Sequence, residues 1–115
     1  MGANLAYLEK PDTRKFTSEG SNKPAFNYAT SGMQGWRHSM EDAHIVCPQF
    51  DPSNGSSLFA VFDGHGGMEV AKFCERNFGP ALLANQHYKN RNYAKALEEV
   101  FLTLDQMIMS PSGQN

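Results

Sequence analysis

The sequence is poor in the features that mark several classes of protein. Its 115 residues include two cysteines and one tryptophan, which is too little cysteine for a disulfide scaffold. No apolar run approaches the roughly 18 residues that span a bilayer, and no basic segment precedes an apolar one as in a secretory signal. The formal net charge is −2 without a basic patch, so no nucleic acid partner is indicated. These absences predict an intracellular, cytoplasmic protein with two reduced thiols.

One feature of the N-terminus qualifies that location. Gly2 follows Met1 and is a candidate acceptor for N-myristoylation, although Ala6 stands where the motif has Ser or Thr. A single acyl chain would give only weak, reversible membrane association. A nuclear or membrane-associated fraction therefore stays open beside the cytoplasmic one.

Length and composition are those of one globular domain. Hydrophobic residues make up 40% of the chain and charged residues 19%, which is typical of soluble, folded proteins. We divide the chain into residues 1–24, an N-terminal extension with a first strand region, and residues 25–115, the main body. Within the extension, residues 10–12 and 18–24 have the composition of turns and loops.

Strands are predicted in the first half of the main body. Residues 25–34 alternate with a period of two, which predicts a strand. Residues 36–47 continue as a second extended segment. Asn54-Gly55 predicts a hairpin turn, and residues 58–62 form the returning, antiparallel strand. Because the residues of that last strand are all apolar, we expect it to be buried.

Two helices are predicted in the second half. Helical periodicity starts after Gly67, and Gly79-Pro80 is expected to stop or kink the first helix. Residues 86–92 read as a polar connection. An amphipathic stripe then predicts a second helix, formed by Leu97, Val100, Phe101, Leu104 and Ile108. Strands followed by helices indicate an α+β fold with helices packed on an antiparallel sheet.

The strand at 58–62 ends in Asp63-Gly64-His65-Gly66-Gly67. A carboxylate at the end of a buried strand needs compensation, either by hydrogen bonds from a turn or by a metal ion. A hairpin turn at Asp63-Gly64 would require a strand after it, whereas helical periodicity follows. Glycines also let an ion or a ligand approach the backbone. The segment lacks the Lys-Ser/Thr of a P-loop, so a phosphate cradle of that type is not favoured.

Acidic residues near this turn favour a hard cation. Asp63, Glu41 and Asp42, together with a backbone carbonyl, supply oxygen ligands of the kind that Mg²⁺ or Mn²⁺ prefers. Neighbouring acids on a strand point to opposite faces, so Glu41 and Asp42 reach one ion only through a bulge.

Two further side chains are candidates for phosphate chemistry. The guanidinium of Arg37 suits a phosphate group, but an ion pair with Glu41 or Asp42 is at least as well supported. His65 can act as a general acid near neutral pH, although a histidine in a glycine-rich loop is more often merely solvated.

Two segments, taken together, resemble the N-terminal part of the metal-dependent serine/threonine protein phosphatases, the PPM or type 2C family. The first is Gly35-Trp36-Arg37 with Met40-Glu41-Asp42-Ala43-His44, and the second is residues 59–67, followed by Val70-Ala71-Lys72-Phe73. The resemblance covers most of residues 25–110. It implies an antiparallel β-sandwich flanked by helices, of which this chain is only the N-terminal part.

The resemblance also implies roles for six residues. Asp63 would bridge the two ions of a Mg²⁺ or Mn²⁺ centre, Gly64 would contribute its carbonyl, and Glu41 would act mainly through metal-bound water. Asp42 would support the nearby solvent network. Arg37 would hold the substrate phosphate, and His65 would donate a proton to the leaving alkoxide.

The implied activity is hydrolysis of phosphoserine or phosphothreonine in protein substrates by a metal-activated water. The family's catalytic domain is longer, and acids in its C-terminal half complete the metal centre. We therefore expect this chain to be a truncated portion that is inactive alone. Two alternatives stay open: a short, non-catalytic relative that binds phosphoproteins or a partner through the Arg37 region, and an unrelated α+β metal-binding domain.

Overall fold

The computed structural model describes residues 6–22 and 26–110. Gly2, the predicted lipid acceptor, lies outside these ranges. The described residues form the strands β1 (Asp12–Asn22), β2 (Phe26–Gly35), β3 (Asp42–Asp51) and β4 (Ser56–Asp63), and the helices α1 (Glu69–Ala84), α2 (Gln86–Lys89) and α3 (Tyr93–Met109). In these ranges no helix is both long and apolar enough to cross a membrane.

The strands pair into two antiparallel sheets, β1–β2 and β3–β4. The helices pack on one face of β3–β4, where Phe62 lies 5.7 Å from the ring of Phe78 in α1. The β1–β2 sheet meets the other face, because the rings of Phe26 and Tyr28 lie 5.8 Å and 5.2 Å from the ring of Phe59. The predicted α+β architecture, two antiparallel sheets with helices, is confirmed.

The strand β1 corrects the prediction of loop structure at residues 18–22, which pair with β2. Residues 23 and 24 of that predicted loop lie outside the described residues. Gly20 lies opposite Tyr28, and a Cβ added at Gly20 would come within 2.5 Å of the Tyr28 hydroxyl. The tyrosine ring therefore covers the glycine backbone across the strands. Composition alone misses this strand since its pairing partner, not its own propensity, keeps it extended.

The strand β4 is not buried on both faces as its apolar run predicted. Leu58 and Phe62 pack towards the helices, while Phe59 and Val61 point to the other face and are 40% and 74% exposed. The β1–β2 sheet covers that face only in part. Asp63 at the end of the strand is also exposed, so the burial cost expected for its carboxylate does not arise.

The structure corrects two predictions in the helical half, namely that the first helix stops at Gly79-Pro80 and that residues 86–92 form a polar connection. The helix α1 runs through Gly79-Pro80 without a break, since Phe78 and Leu82 on either side are buried in the core and Pro80 faces solvent. The supposed polar connection at 86–92 contains the short helix α2, whose Tyr88 is buried. Tertiary packing thus overrides the local signals at both positions.

The buried face of α3 is rotated relative to the predicted stripe. Val100 and Leu104 are buried as expected, but the third buried residue is Ala96. Leu97 and Phe101 are 41% and 58% exposed. Periodicity identifies the helix correctly, whereas the neighbouring elements decide which residues of a broad apolar face are covered. The resulting core contains Phe78, Leu82, Tyr88, Ala96, Val100 and Leu104.

Candidate active site

Pairing of β3 with β4 places Asp42 directly opposite Asp63. Direct partners in an antiparallel pair have Cβ atoms about 4.5–5.5 Å apart on the same face. Both side chains are exposed. The two acidic segments singled out in the sequence therefore meet because their strands pair, and the meeting point is the end of the sheet.

The two carboxylates lie on the face of β3–β4 that is turned away from the helices. The next pair along the strands is Ala43 with Phe62, of which Ala43 is buried and Phe62 packs against the helical core. Because side chains alternate along a strand, Asp42 and Asp63 point to the side of the β1–β2 sheet. The candidate site thus opens at the mouth between the two sheets.

Gly64 extends the same ladder by one further bond. Its N–H donates to the carbonyl oxygen of Glu41 at 3.2 Å. A Cβ added to Gly64 would overlap that oxygen and would lie 3.1 Å from the Cβ of Ala71 in α1. The glycine is therefore required by close packing of strand, bend and helix, and no local sequence signal indicates this contact.

The segment before Asp42 is a bend and not the extended strand that was predicted for residues 36–41. Gly35 has a φ of 68°, which turns the chain at the end of β2. The Gln34 Nε2 group donates to the Arg37 carbonyl oxygen at 2.7 Å. The Ser39 hydroxyl donates to Glu41 Oε1 at 3.0 Å, so the bend orients the Glu41 carboxylate beside the strand end.

Arg37 and His65 are both exposed next to these strands. Within residues 6–22 and 26–110, the Arg37 guanidinium forms no ion pair with Glu41 or Asp42, which was the structural alternative from sequence. His65 precedes two glycines, Gly66 and Gly67, with φ values of 75° and 125°. These left-handed conformations let the loop turn sharply from β4 into α1.

The donor atoms at this end of the sheet suit a hard cation. Two carboxylates, those of Asp42 and Asp63, stand opposite each other, and the Gly64 carbonyl is adjacent in the chain. Oxygen ligands of this kind fit Mg²⁺ or Mn²⁺, and like charges placed directly opposite destabilise a sheet unless a cation intervenes. In the part of the chain that the structure describes, no three His, Cys, Asp or Glu side chains cluster closely enough to hold an ion, so the ligand set is partial.

A cavity of 610 Å³ opens beside Asp42. It lies between the end of the β1–β2 sheet, the bend, the glycine-rich loop and the start of α1. Its lining includes Phe16, Gln34, Ser39, Met40, Met68 and Lys72. Sequence reasoning missed this recess, because its walls come from elements that are distant in the chain and meet only in the folded structure. The recess has room for a substrate segment next to the carboxylate pair.

Comparison with known proteins agrees with this arrangement. The family described as protein phosphatase 2C matches residues 26–115. Probable protein phosphatase 2C 5 from Paramecium tetraurelia is 51% identical over 109 residues, which cover 95% of this chain and 36% of that protein. Protein phosphatase 2C 1 from the same organism is 46% identical over 108 residues, covering 94% of this chain and 35% of the relative.

A mammalian relative is also similar. Protein phosphatase 1G from Rattus norvegicus is 42% identical over 102 residues, which cover 87% of this chain and 18% of that protein. The chain thus spans about a third of the length of the Paramecium relatives. The family match covers more than half of the chain and includes β2, the bend, the carboxylate pair and all three helices. The chain therefore belongs to the protein phosphatase 2C family.

Proposed function

We propose that this chain supplies part of the catalytic centre of a metal-dependent protein serine/threonine phosphatase. The observation that carries the proposal is the register of β3 and β4, which puts Asp42 opposite Asp63 and joins Gly64 to Glu41. Relatives with 42–51% identity bear the name of protein phosphatases. Because the chain spans only 18–36% of the length of these relatives, phosphatase activity is proposed for it and is not an observed property.

The proposed metal ligands are Asp63, the Gly64 carbonyl and Glu41. A divalent cation held there would supply Lewis-acid activation of water and neutralisation of the phosphate charge. Asp63 is positioned by the last residue pair of the β3–β4 ladder. Glu41 is oriented by the Ser39 hydroxyl, which leaves its second carboxylate oxygen available for water or an ion.

The proposed roles in substrate handling fall to Arg37, His65 and Asp42. The Arg37 guanidinium, which has no ion-pair partner among the described residues, can bind two phosphate oxygens at once. His65 would protonate the alkoxide of the departing serine or threonine. Asp42 would order water beside its cross-strand partner Asp63.

The chain by itself is proposed to be inactive, since its described carboxylates make only a partial ligand set. Its substrates would be phosphorylated proteins, and its location cytoplasmic. Acylation of Gly2 would add weak membrane attachment.

A chimaera tests this proposal. Residues 26–110 of this chain would replace the aligned segment of Paramecium protein phosphatase 2C 1, with which the chain is 46% identical. We expect Mn²⁺-dependent release of phosphate from a phosphothreonine peptide, measured beside the unmodified host protein. A folded chimaera that binds Mn²⁺ and lacks this activity, while the host is active, would contradict the proposal.

A second candidate is a non-catalytic role in binding phosphoproteins. It is favoured by one observation, the exposed Arg37 guanidinium without an ion-pair partner in the described ranges. The chain alone would then bind a phosphopeptide without any divalent cation, and Arg37→Ala would abolish the binding. Fluorescence anisotropy of a labelled phosphopeptide, in the presence of EDTA, distinguishes this candidate from the catalytic one.

A further inference from the structure

The turn between β3 and β4 carries an asparagine in a reactive context. Asn54 is followed by Gly55, the only Asn-Gly pair in the sequence. A glycine after asparagine leaves its backbone nitrogen unshielded by a side chain. That nitrogen can attack the Asn side chain, which is the first step of spontaneous deamidation.

The fold holds both reacting groups in hydrogen bonds. The Gly55 N–H donates to the Asp51 carbonyl oxygen at 2.9 Å, so the nucleophile is engaged. The Asn54 Nδ2 group donates to the Tyr88 hydroxyl at 3.1 Å, and Asn54 Oδ1 accepts from the Ser56 N–H at 3.0 Å. Each of these bonds must break or bend before the nitrogen of Gly55 reaches the Cγ of Asn54.

Tyr88 in α2 contacts the turn from outside the hairpin. Its ring is buried in the core, and its hydroxyl donates to Asp51 Oδ2 at 2.8 Å while accepting from Asn54. The short helix α2 is thereby hydrogen-bonded to the turn at both Asp51 and Asn54. A buried tyrosine with its hydroxyl fixed by two partners has little freedom to move away from the turn.

We propose that Asn54-Gly55 is a deamidation site whose rate is controlled by the hydroxyl of Tyr88. In the reaction, the Gly55 nitrogen loses its proton and bonds to Asn54 Cγ, and the bond from Cγ to the side-chain nitrogen breaks to release ammonia. Water then opens the cyclic imide to aspartate or isoaspartate. Either product replaces the N–H donor to Tyr88 by a carboxylate beside that of Asp51.

The product therefore weakens the contact that slowed its formation. Repulsion between two carboxylates and the loss of one hydrogen bond would release α2 from the hairpin. The change is covalent, and it marks the end of the β3–β4 pair that lies away from the carboxylate site.

Mass spectrometry of tryptic peptides, after incubation at mildly alkaline pH, tests the proposal. We expect the folded chain to deamidate at Asn54 at least roughly tenfold more slowly than the same chain in urea, since the reaction requires local opening of the turn. Tyr88→Phe should accelerate the reaction in the folded chain about fivefold, the effect of one net hydrogen bond. Asn77 and Asn85, which lie together in the tryptic peptide 77–89, serve as internal references in the same digest.

Tyr93→Phe is the matched control. The ring of Tyr93 packs at a tilt against the ring of Tyr88, with centres 5.5 Å apart, and Tyr93 forms no hydrogen bond with the described residues of the turn. Equal rates in folded and urea-treated chain, or equal rates in Tyr88→Phe and Tyr93→Phe, would overturn the proposal. If circular dichroism shows Tyr88→Phe to be unfolded, Asp51→Ala removes the side-chain acceptor of the same hydroxyl. That variant must then accelerate deamidation, and an unchanged rate would equally refute the proposal.

Discussion

Asp42 and Asp63 are direct cross-strand partners at the end of the β3–β4 pair, with both carboxylates on the face that looks towards the β1–β2 sheet. Two like charges in this position repel each other. A divalent cation held by Asp63, as proposed above, would offset this repulsion. Under that proposal, the stability of this end of the sheet would depend on metal binding.

Neutralising one member of the pair should change stability in opposite ways without and with metal. In EDTA, Asp63→Asn should raise the free energy of unfolding by about 0.2–1 kcal/mol, because the repulsion is relieved. Mn²⁺ should raise the melting temperature of the unmodified chain by mass action, and Asp63→Asn should lose that increase. Asp105→Asn on α3 is the control, and an equal Mn²⁺ effect in both variants would exclude a site at Asp63.

Arg37 should act on substrate binding more than on turnover. In the chimaera described above, Arg37→Ala should lower kcat/KM roughly tenfold to hundredfold, chiefly through a higher KM, because charge-assisted hydrogen bonds to phosphate are lost. Arg37→Lys should recover part of the loss, since lysine keeps the charge but not the planar fork. Arg76→Ala, at an exposed position of α1, should leave the kinetics unchanged. A lower kcat at unchanged KM would contradict the assigned role.

Gly64 should tolerate no side chain. Gly64→Ala places a methyl group against the Glu41 carbonyl and the Ala71 side chain, and overpacking of this kind costs about 1–3 kcal/mol. Gly32→Ala is the matched control, because its nearest neighbour would be the Met40 methyl at an ordinary 3.7 Å. Urea unfolding of both variants measures the difference. Equal stabilities of the two variants would show that the end of β4 can shift to make room for the methyl group.

Acid should destabilise the chain through two carboxylates outside the candidate site. The hydrogen bond from Arg14 lowers the pKa of Asp12 to about 2. Hydrogen bonds from Ser53 and then from Tyr88 lower the pKa of Asp51. In the unfolded chain an aspartate has a pKa of about 3.9. Between about pH 4 and pH 2 the unfolded chain therefore binds more protons than the folded chain. The free energy of unfolding therefore falls as the pH falls through this window.

Ser53→Ala tests how much of the acid destabilisation comes from Asp51. It removes the largest cause of the lowered pKa, so the urea midpoint of this variant should depend less on pH below about pH 4. Thr103→Ala on α3 should keep the pH dependence of the unmodified chain. If the urea midpoints of the two variants depended on pH in the same way, Asp51 would not contribute to the acid destabilisation.

Replacing Arg91 by glycine should stabilise the protein. Its φ is 64°, a left-handed conformation that costs a residue with a side chain about 1–2 kcal/mol. Arg91→Gly removes this strain and keeps the hydrogen bond from its N–H to the Tyr88 carbonyl, so a net gain of about 0.5–1 kcal/mol remains after the entropy of glycine. Asn90→Gly, at a φ of −88°, should instead lose stability. A loss in both variants would mean that the Arg91 side chain contributes packing.

Several features could be predicted from local sequence because their causes are local. Asn54-Gly55 marks the hairpin, and the turn in an antiparallel pair limits the register of the strands that it joins. Alternation marks the strand β2, and the change of period after Gly67 marks α1. The motifs around Arg37 and Asp63 identified the family, which the comparison confirmed. The catalytic roles of the individual residues stay predictions.

Other features depend on contacts between distant residues, and local signals were misleading there. The Ser- and Gly-rich end of β1 is extended because Tyr28 covers Gly20. The helix α1 continues through Pro80 because buried residues on both sides hold it in place. Loop composition and a proline describe only what the isolated segment prefers, and packing overrides both preferences.

For the site, residue types alone predict the available chemistry, namely which side chains carry oxygen donors, a guanidinium and an imidazole. They could not determine that Asp63 is solvent-exposed, nor that Asp42 is its partner in the ladder. An apolar strand is buried or exposed according to what packs on each face, and two acids meet or separate according to register. Both are properties of the assembled sheet, so the pair of opposed carboxylates at the strand end became visible only in the folded chain.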